Sequence, residues 1–214
     1  MITLIDERIL HAQEVDLLPT PFDFERDYSI EEFLELDTDG EYELLGGKVV
    51  PRTNAGPSAT HGKIASEIYR SLQNYIESTG LALSAYGNSP CRLDPKKRNF
   101  VIPDVCVISA NGMPNALGGP LMAVPSLVVE VNSPTDTCEG IYNKIEVYQA
   151  AGVRLIWSVY MVESFVVVYR LGEEQQFLLP KNELDGFDVL PGFKMSLNKI
   201  FVEKNNNSLL INGI

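Results

Sequence analysis

Residues 126–134 read SLVVEVNSP, and this stretch narrows the folds open to the chain more than any other. Leu127, Val128, Val129 and Val131 give it the branched, apolar character of a buried strand, and Ser133-Pro134 ends it in a turn. Glu130 stands inside that run. A lone carboxylate there is costly to bury unless a cation or a hydrogen-bond donor meets it. Side chains alternate across a strand, so Val128, Glu130 and Asn132 share one face while Leu127, Val129 and Val131 share the other. Glu130 therefore sits near a strand end, just before the chain turns.

The segments around this strand alternate in type. SIEEFLEL, from Ser29, opens a short helix with the capping-box pair Ser29 and Glu32. YELLGGKVVPRT carries Gly46-Gly47 between two extended runs, a hairpin signal. From His61 to Ser78, Ile64, Ile68, Leu72 and Ile76 recur every fourth residue, which predicts a helix with one face on a sheet and Gly80 as its stop. LALSAYG, SPCRLD and FVIPDVCVIS read as strands, the last two joined by the basic turn DPKKRN. GIYNKIEVYQAAG reads as a second long helix, with Ile141, Ile145 and Tyr148 on one side and Gly152 at its end. RLIWSVY, SFVVVYR and QFLLP then form a β-meander, and LPGFKMSLNKIF a capping strand or short helix. This order predicts an α/β (α+β) domain with helices packed on a mixed central sheet. The expected organisation is an N-terminal arm over 1–28, one domain over 29–202 and a tail over 203–214.

Bulk properties exclude several classes. A chain of 214 residues with 45% hydrophobic content suits one medium domain. No apolar run is long enough to cross a bilayer, and MITLIDERILHAQEVDLLP lacks the pattern of a signal peptide, so no membrane partner and a cytoplasmic location are expected. Cys91, Cys106 and Cys138 are scattered and without C-x-x-C spacing, which argues against a zinc site or a disulfide framework. The net charge of −12 argues against passive adhesion to nucleic acid but leaves room for an enzyme with a local basic rim.

A second acid, Asp104, follows Pro103 inside FVIPDVCVIS, where proline marks a bend or a strand start. Two acids thus punctuate two apolar strands. Asp104 and Glu130, with the Val131 carbonyl as a third ligand, could hold a hard divalent cation such as Mg²⁺. The same acids could instead face solvent or pair with Arg92 or Arg154. A glycosidase would also use two carboxylates, but the surroundings of these acids lack sugar-stacking aromatics.

The ordered set YELLGGKVV, the helix opening at His61, IPDVCVIS, PSLVVEVNSP, KIEVYQAAGVRLIWSVY and LPGFKMSLNKIF resembles the Uma-two family within the PD-(D/E)XK nucleases. The resemblance spans roughly residues 30 to 201. It implies a restriction-endonuclease-like three-layer core and Mg²⁺-assisted hydrolysis of phosphodiester bonds in double-stranded DNA, with Mn²⁺ as an alternative ion. A homodimer is expected, since a duplex offers two strands to a two-fold symmetric protein. Asp104 and Glu130 match the acidic ligands, and Asn132 stands where the superfamily lysine is usual. Lys144, on the following helix, matches that lysine, and Glu43 and His61 match further positions of the pattern. The alternatives are an exposed helix lysine for Lys144, a hairpin surface acid for Glu43 and a helix-capping residue for His61. Arg92 could contact a phosphate or pair with an acid. Gly140 and Tyr160 stand where the family often carries acids.

Overall fold

The computed structural model describes residues 20–37, 39–52, 58–94, 98–109 and 119–201. Its centre is a six-stranded sheet built on the strand read first. That strand, β7 (Leu127–Asn132), is buried at every position. It runs antiparallel to β6 (Val105–Ser109) and parallel to β8 (Leu155–Tyr160). Beyond β6 lies β3 (Leu83–Gly87), and beyond β8 lie β9 (Phe165–Arg170) and β10 (Gln176–Leu178) as an antiparallel meander. One parallel pair among antiparallel neighbours makes the sheet mixed, as expected.

Alternation along β7 divides the interior into two halves. Leu127, Val129 and Val131 pack with Ile64, Ile68, Leu72 and Ile76 of helix α2 (Ala59–Thr79). Val128 packs on the other side with Ile145 and Tyr148 of helix α3 (Cys138–Ala151). Both helices begin with a side-chain cap, Ser58 for α2 and Thr137 for α3, and both end at a left-handed glycine, Gly80 and Gly152. Helix, mixed sheet and helix form the three-layer core. A two-stranded ribbon, β11 (Glu183–Asp185) with β12 (Lys194–Ser196), and the 3-10 turn Leu197–Lys199 complete the α2 side. The C-terminal segment is thus both strand and short helix.

A second, four-stranded antiparallel sheet has the order β2 (Lys48–Pro51), β1 (Tyr42–Leu45), β5 (Asn99–Val101), β4 (Cys91–Asp94). The β1–β2 turn needs left-handed backbone at both central positions, and Gly46 and Gly47 supply it at φ 61° and 92°. Helix α1 (Ile30–Leu36) carries the capping box of Ser29 and Glu32 and buries Ile30 and Phe33 against Leu44 and Phe100. Phe22 and Tyr28, from the described part of the expected arm, sit in this same aromatic cluster. The chemistry of FVIPDVCVIS differs from a single strand: Ile102–Asp104 interrupt it, so that β5 belongs to one sheet and β6 to the other. Pro103 cannot donate to a ladder, and the break it marks lets the chain cross between sheets. The first nineteen positions of the expected arm, residues 95–97 of the expected basic turn, residues 110–118 and the expected tail over 203–214 lie outside the described residues.

Cys91 and Cys106 are buried with their sulfurs 3.9 Å apart, and Cys138 is exposed. All three are free thiols. Among the described residues no helix is long and apolar enough to cross a membrane.

Candidate active site

The chain passes from one sheet to the other at Ile102–Asp104, and a cleft of about 1110 Å³ lies there, lined by the C-terminal end of β7 and the N-terminal ends of α2 and α3. Glu43, His61, Asp104, Glu130, Val131 and Lys144 all line it. They come from five separate stretches of chain, Glu130 and Val131 being neighbours on β7, and each is placed by a local rule.

Glu130 shares the α3-facing side of β7 with Val128, as alternation requires. Lys144 and Tyr148 lie four residues apart on α3 and so project from one helix face. Both reach the same carboxylate oxygen. Lys144 Nζ lies 3.0 Å from Glu130 Oε1, and the Tyr148 hydroxyl donates to that oxygen at 2.5 Å. Lys144 Nζ also lies 3.0 Å from Oε2 of Glu43 on β1. The other oxygen of Glu43 accepts the Ile102 backbone N–H at 2.6 Å, which ties the hairpin to the interruption at Pro103. Glu43 is 4% exposed, so it is no hairpin surface acid.

Asp104 stands just before β6. Its Oδ2 accepts the Val131 N–H at 2.7 Å and lies 3.2 Å from His61 Nε2. His61 reaches it from the first turn of α2, where its own backbone N–H is capped by the Ser58 hydroxyl. Its imidazole is thus free of the capping task and faces the acid. The plain pairings considered for the two acids do not occur: Arg92 pairs with Glu31, and Arg154 with Asp188.

The electrostatics follow from two carboxylates, Glu43 and Glu130, held on one ammonium, with the charge of Asp104 also felt at Glu130. Burial pushes the Glu130 carboxyl up to about 7; Lys144 opposes the rise, and Asp104 and Glu43 add to it. Burial alone would push the Lys144 amine down, but the attraction of Glu130 and Glu43 outweighs it and holds the amine above its ordinary value, fully charged. The hydrogen bond to Asp104 raises His61, against the effect of burial. Tyr148 is pushed well up by burial and by the neighbouring carboxylates, so its hydroxyl stays protonated and a donor.

These residues suit a hard cation better than a soft one. Among the described residues no three His, Cys, Asp or Glu side chains converge as a closed metal cage requires. A small divalent ion that keeps most of its waters asks for only one or two carboxylates, and the surplus negative charge around Lys144 favours it. Asp104 and Glu130, with the backbone carbonyl of Val131, fit that requirement in chemistry.

Sequence reasoning did not single out Tyr148 or Ser158. Tyr148 reads as part of an apolar stripe, although its spacing from Lys144 puts it on the same face. Ser158 is fully buried and accepts a hydrogen bond from the Asn132 side chain at 2.8 Å. That contact is diagonal, since Glu130 aligns with Ser158 and Asn132 with Tyr160, so Asn132 reaches a β8 residue two positions back from its own partner. Nothing in the local sequence signals a contact set by parallel register.

Residues 30–198 match the Uma2 family, described as "Putative restriction endonuclease". The fold is also that of a crystal structure described as a "putative nuclease belonging to DUF820" from Anabaena variabilis, at 20% identity and a TM-score of 0.69. That likeness covers 81% of this chain and 97% of the other. A search of curated proteins finds no match. The family match over most of the chain, with the likeness of fold beside it, shows that this chain belongs to the Uma2 family of nucleases.

Proposed function

We propose that the protein is a Mg²⁺-dependent endonuclease that hydrolyses phosphodiester bonds of double-stranded DNA, with Mn²⁺ able to replace Mg²⁺. The observation that carries this reading is the contact of Lys144 with Glu43 and Glu130 beside Asp104, at the wall of one open cleft. Asp104, Glu130 and the Val131 carbonyl are the ligands we assign to the ion. When bound, Mg²⁺ supplies Lewis-acid polarisation of a phosphate oxygen and raises the acidity of a nearby water.

The chain's own groups do the rest. Lys144 presents a charged ammonium to the non-bridging phosphate oxygens and offsets the negative charge that builds as water attacks phosphorus and the P–O bond to the leaving strand breaks. Glu43 holds that ammonium in place from the opposite sheet, and its own carboxylate is fixed by the Ile102 N–H. Tyr148 restrains Glu130. The Val131 N–H and His61 fix the orientation of Asp104. Such fixed donors and charges need no rearrangement during reaction, which is where their catalytic value lies. A homodimer acting in the cytoplasm would offer one cleft to each strand of a duplex.

Plasmid nicking tests this reading. The wild-type protein should convert supercoiled DNA to relaxed or linear forms with Mg²⁺ or Mn²⁺ and not with EDTA. Asp104→Asn should abolish that conversion while its melting temperature stays near that of the wild type. Nicking that survives in Asp104→Asn would sink the assignment. A second reading, a nuclease-like module without catalysis, has one observation in its favour: Lys144 already satisfies both Glu43 and Glu130. It expects no cleavage of any polynucleotide and no thermal shift with Mg²⁺.

A further inference from the structure

Arg52 stands apart from the other described arginines. Arg26, Arg70, Arg92, Arg98, Arg154 and Arg170 each pair with a carboxylate. Arg52 instead donates to two neutral acceptors: the Gly40 carbonyl at 3.1 Å and the Asn88 side-chain oxygen at 2.6 Å. Among the described residues no carboxylate pairs with it, so neutral groups orient its positive charge. In a chain of net charge −12, a cation held by neutral groups in a cleft that Asp39 and Glu41 also line is placed to offset the repulsion an anionic ligand would meet there.

The way it is held links it to the site. Arg52 follows β2, and its backbone N–H is anchored to Glu41 at the open end of the hairpin that carries Glu43. Asn88 has left-handed backbone at φ 46°, a conformation that asparagine tolerates better than most residues. That conformation lets Asn88 do two things. Its side-chain oxygen receives Arg52, and its backbone N–H donates to the Asp104 carbonyl at 2.9 Å. Arg52 is thus one residue removed from the backbone of a proposed metal ligand, and Asn88 sets the distance.

Resting on the endonuclease reading above, we propose that Arg52 is a substrate-binding residue. Its guanidinium takes a DNA phosphate that flanks the one hydrolysed, and Asn88 acts as its positioning residue. A guanidinium has five N–H donors in a planar fork suited to phosphate oxygens, and the two bonds to Gly40 and Asn88 leave donors for a ligand. A contact of this kind adds affinity whatever the base sequence and releases a counterion from the DNA.

The test measures binding and metal affinity side by side on the full chain. A fluorescein-labelled duplex is titrated by anisotropy at several NaCl concentrations, and Mn²⁺ binding is followed by calorimetry. Arg52→Gln should weaken duplex binding about tenfold or more and lower the salt slope by about one. It should raise KM with little change in kcat, and leave Mn²⁺ affinity as in the wild type. Arg52→Lys should keep the slope. Asn88→Ala should weaken duplex binding in the same direction while keeping the slope, because the charge remains.

An unchanged slope and affinity in Arg52→Gln would overturn the proposal while wild-type cleavage left the endonuclease reading intact. A parallel loss of Mn²⁺ affinity and melting temperature would overturn it too, by showing that Arg52 only braces the hairpin against Asp104. Wild-type protein that neither binds nor cuts the duplex would overturn both.

Discussion

Lys144 is the residue on which the site's charge balance turns. Its ammonium lies within 3.0 Å of both Glu43 and Glu130, and both acids are largely withdrawn from water. Removing one partner from a buried cluster of this kind costs about 3–5 kcal/mol, because the remaining charges lose their compensation. Lys144→Met should therefore lower metal-free stability by about 3 kcal/mol in urea unfolding, and added Mn²⁺ should recover more stability in the variant than in the wild type. Glu130 adds a pH dependence. Its ordinary value is 4.5, and burial pushes it to about 7 in the folded chain. Between those values the folded state holds more protons than the unfolded state, so this group makes the metal-free protein less stable as pH rises from about 4.5 to about 7. Glu130→Gln should flatten that slope in thermal unfolding with EDTA between pH 5 and pH 8, and should melt above the wild type at the upper end. Much at this scale was visible in the sequence, because a carboxylate inside an apolar strand demands a partner. The resemblance brought in Lys144, but Tyr148 was not visible as a partner: both reach Glu130 from the helix, and only packing brings their tips to one oxygen.

Periodic patterns carried the elements. The four isoleucine and leucine positions of α2 gave its existence, its buried face and its glycine stop, since a 3.6-residue period leaves few other readings. Ile68 is fully buried at the middle of that face. Ile68→Ala should destabilise the protein by about 3 kcal/mol, with an unfolding midpoint shifted accordingly in denaturant, because the cavity left between α2 and the sheet cannot collapse freely. The hairpin was equally legible, as two consecutive glycines between extended runs leave one favoured turn. FVIPDVCVIS was less so. Its apolar content reads as one strand, and its division between two sheets depends on where β1 and β3 stand to receive each half. A proline announces a break in a strand but does not say where the chain goes next.

At the scale of the molecule, the cleft gathers segments that are distant in sequence, and the proposed cation would join them. An ion held there would bind the folded state and not the unfolded one, so it should raise stability in proportion to its saturation. With Mn²⁺ at about a hundred times its Kd, the gain is about 2.7 kcal/mol, seen as a saturable rise in melting temperature that EDTA reverses. Asp104→Asn should lose most of that rise. The sequence by itself determined the helices, the hairpin, the central strands and the two faces of β7, because these follow from periodicity, turn chemistry and alternation over a few neighbouring residues. It also supplied the family's ordered motifs, and with them the expectation of a nuclease fold. Only the tertiary structure decided that Glu43 faces inward to Lys144, that His61 turns its ring to Asp104, that Ser158 backs Asn132, and that Arg52 reaches Asn88. Each of those contacts joins residues far apart along the chain at distances of 2.6 to 3.2 Å. Local preferences bias a backbone one turn or one strand at a time; contacts of that precision are fixed when the layers close over a shared core.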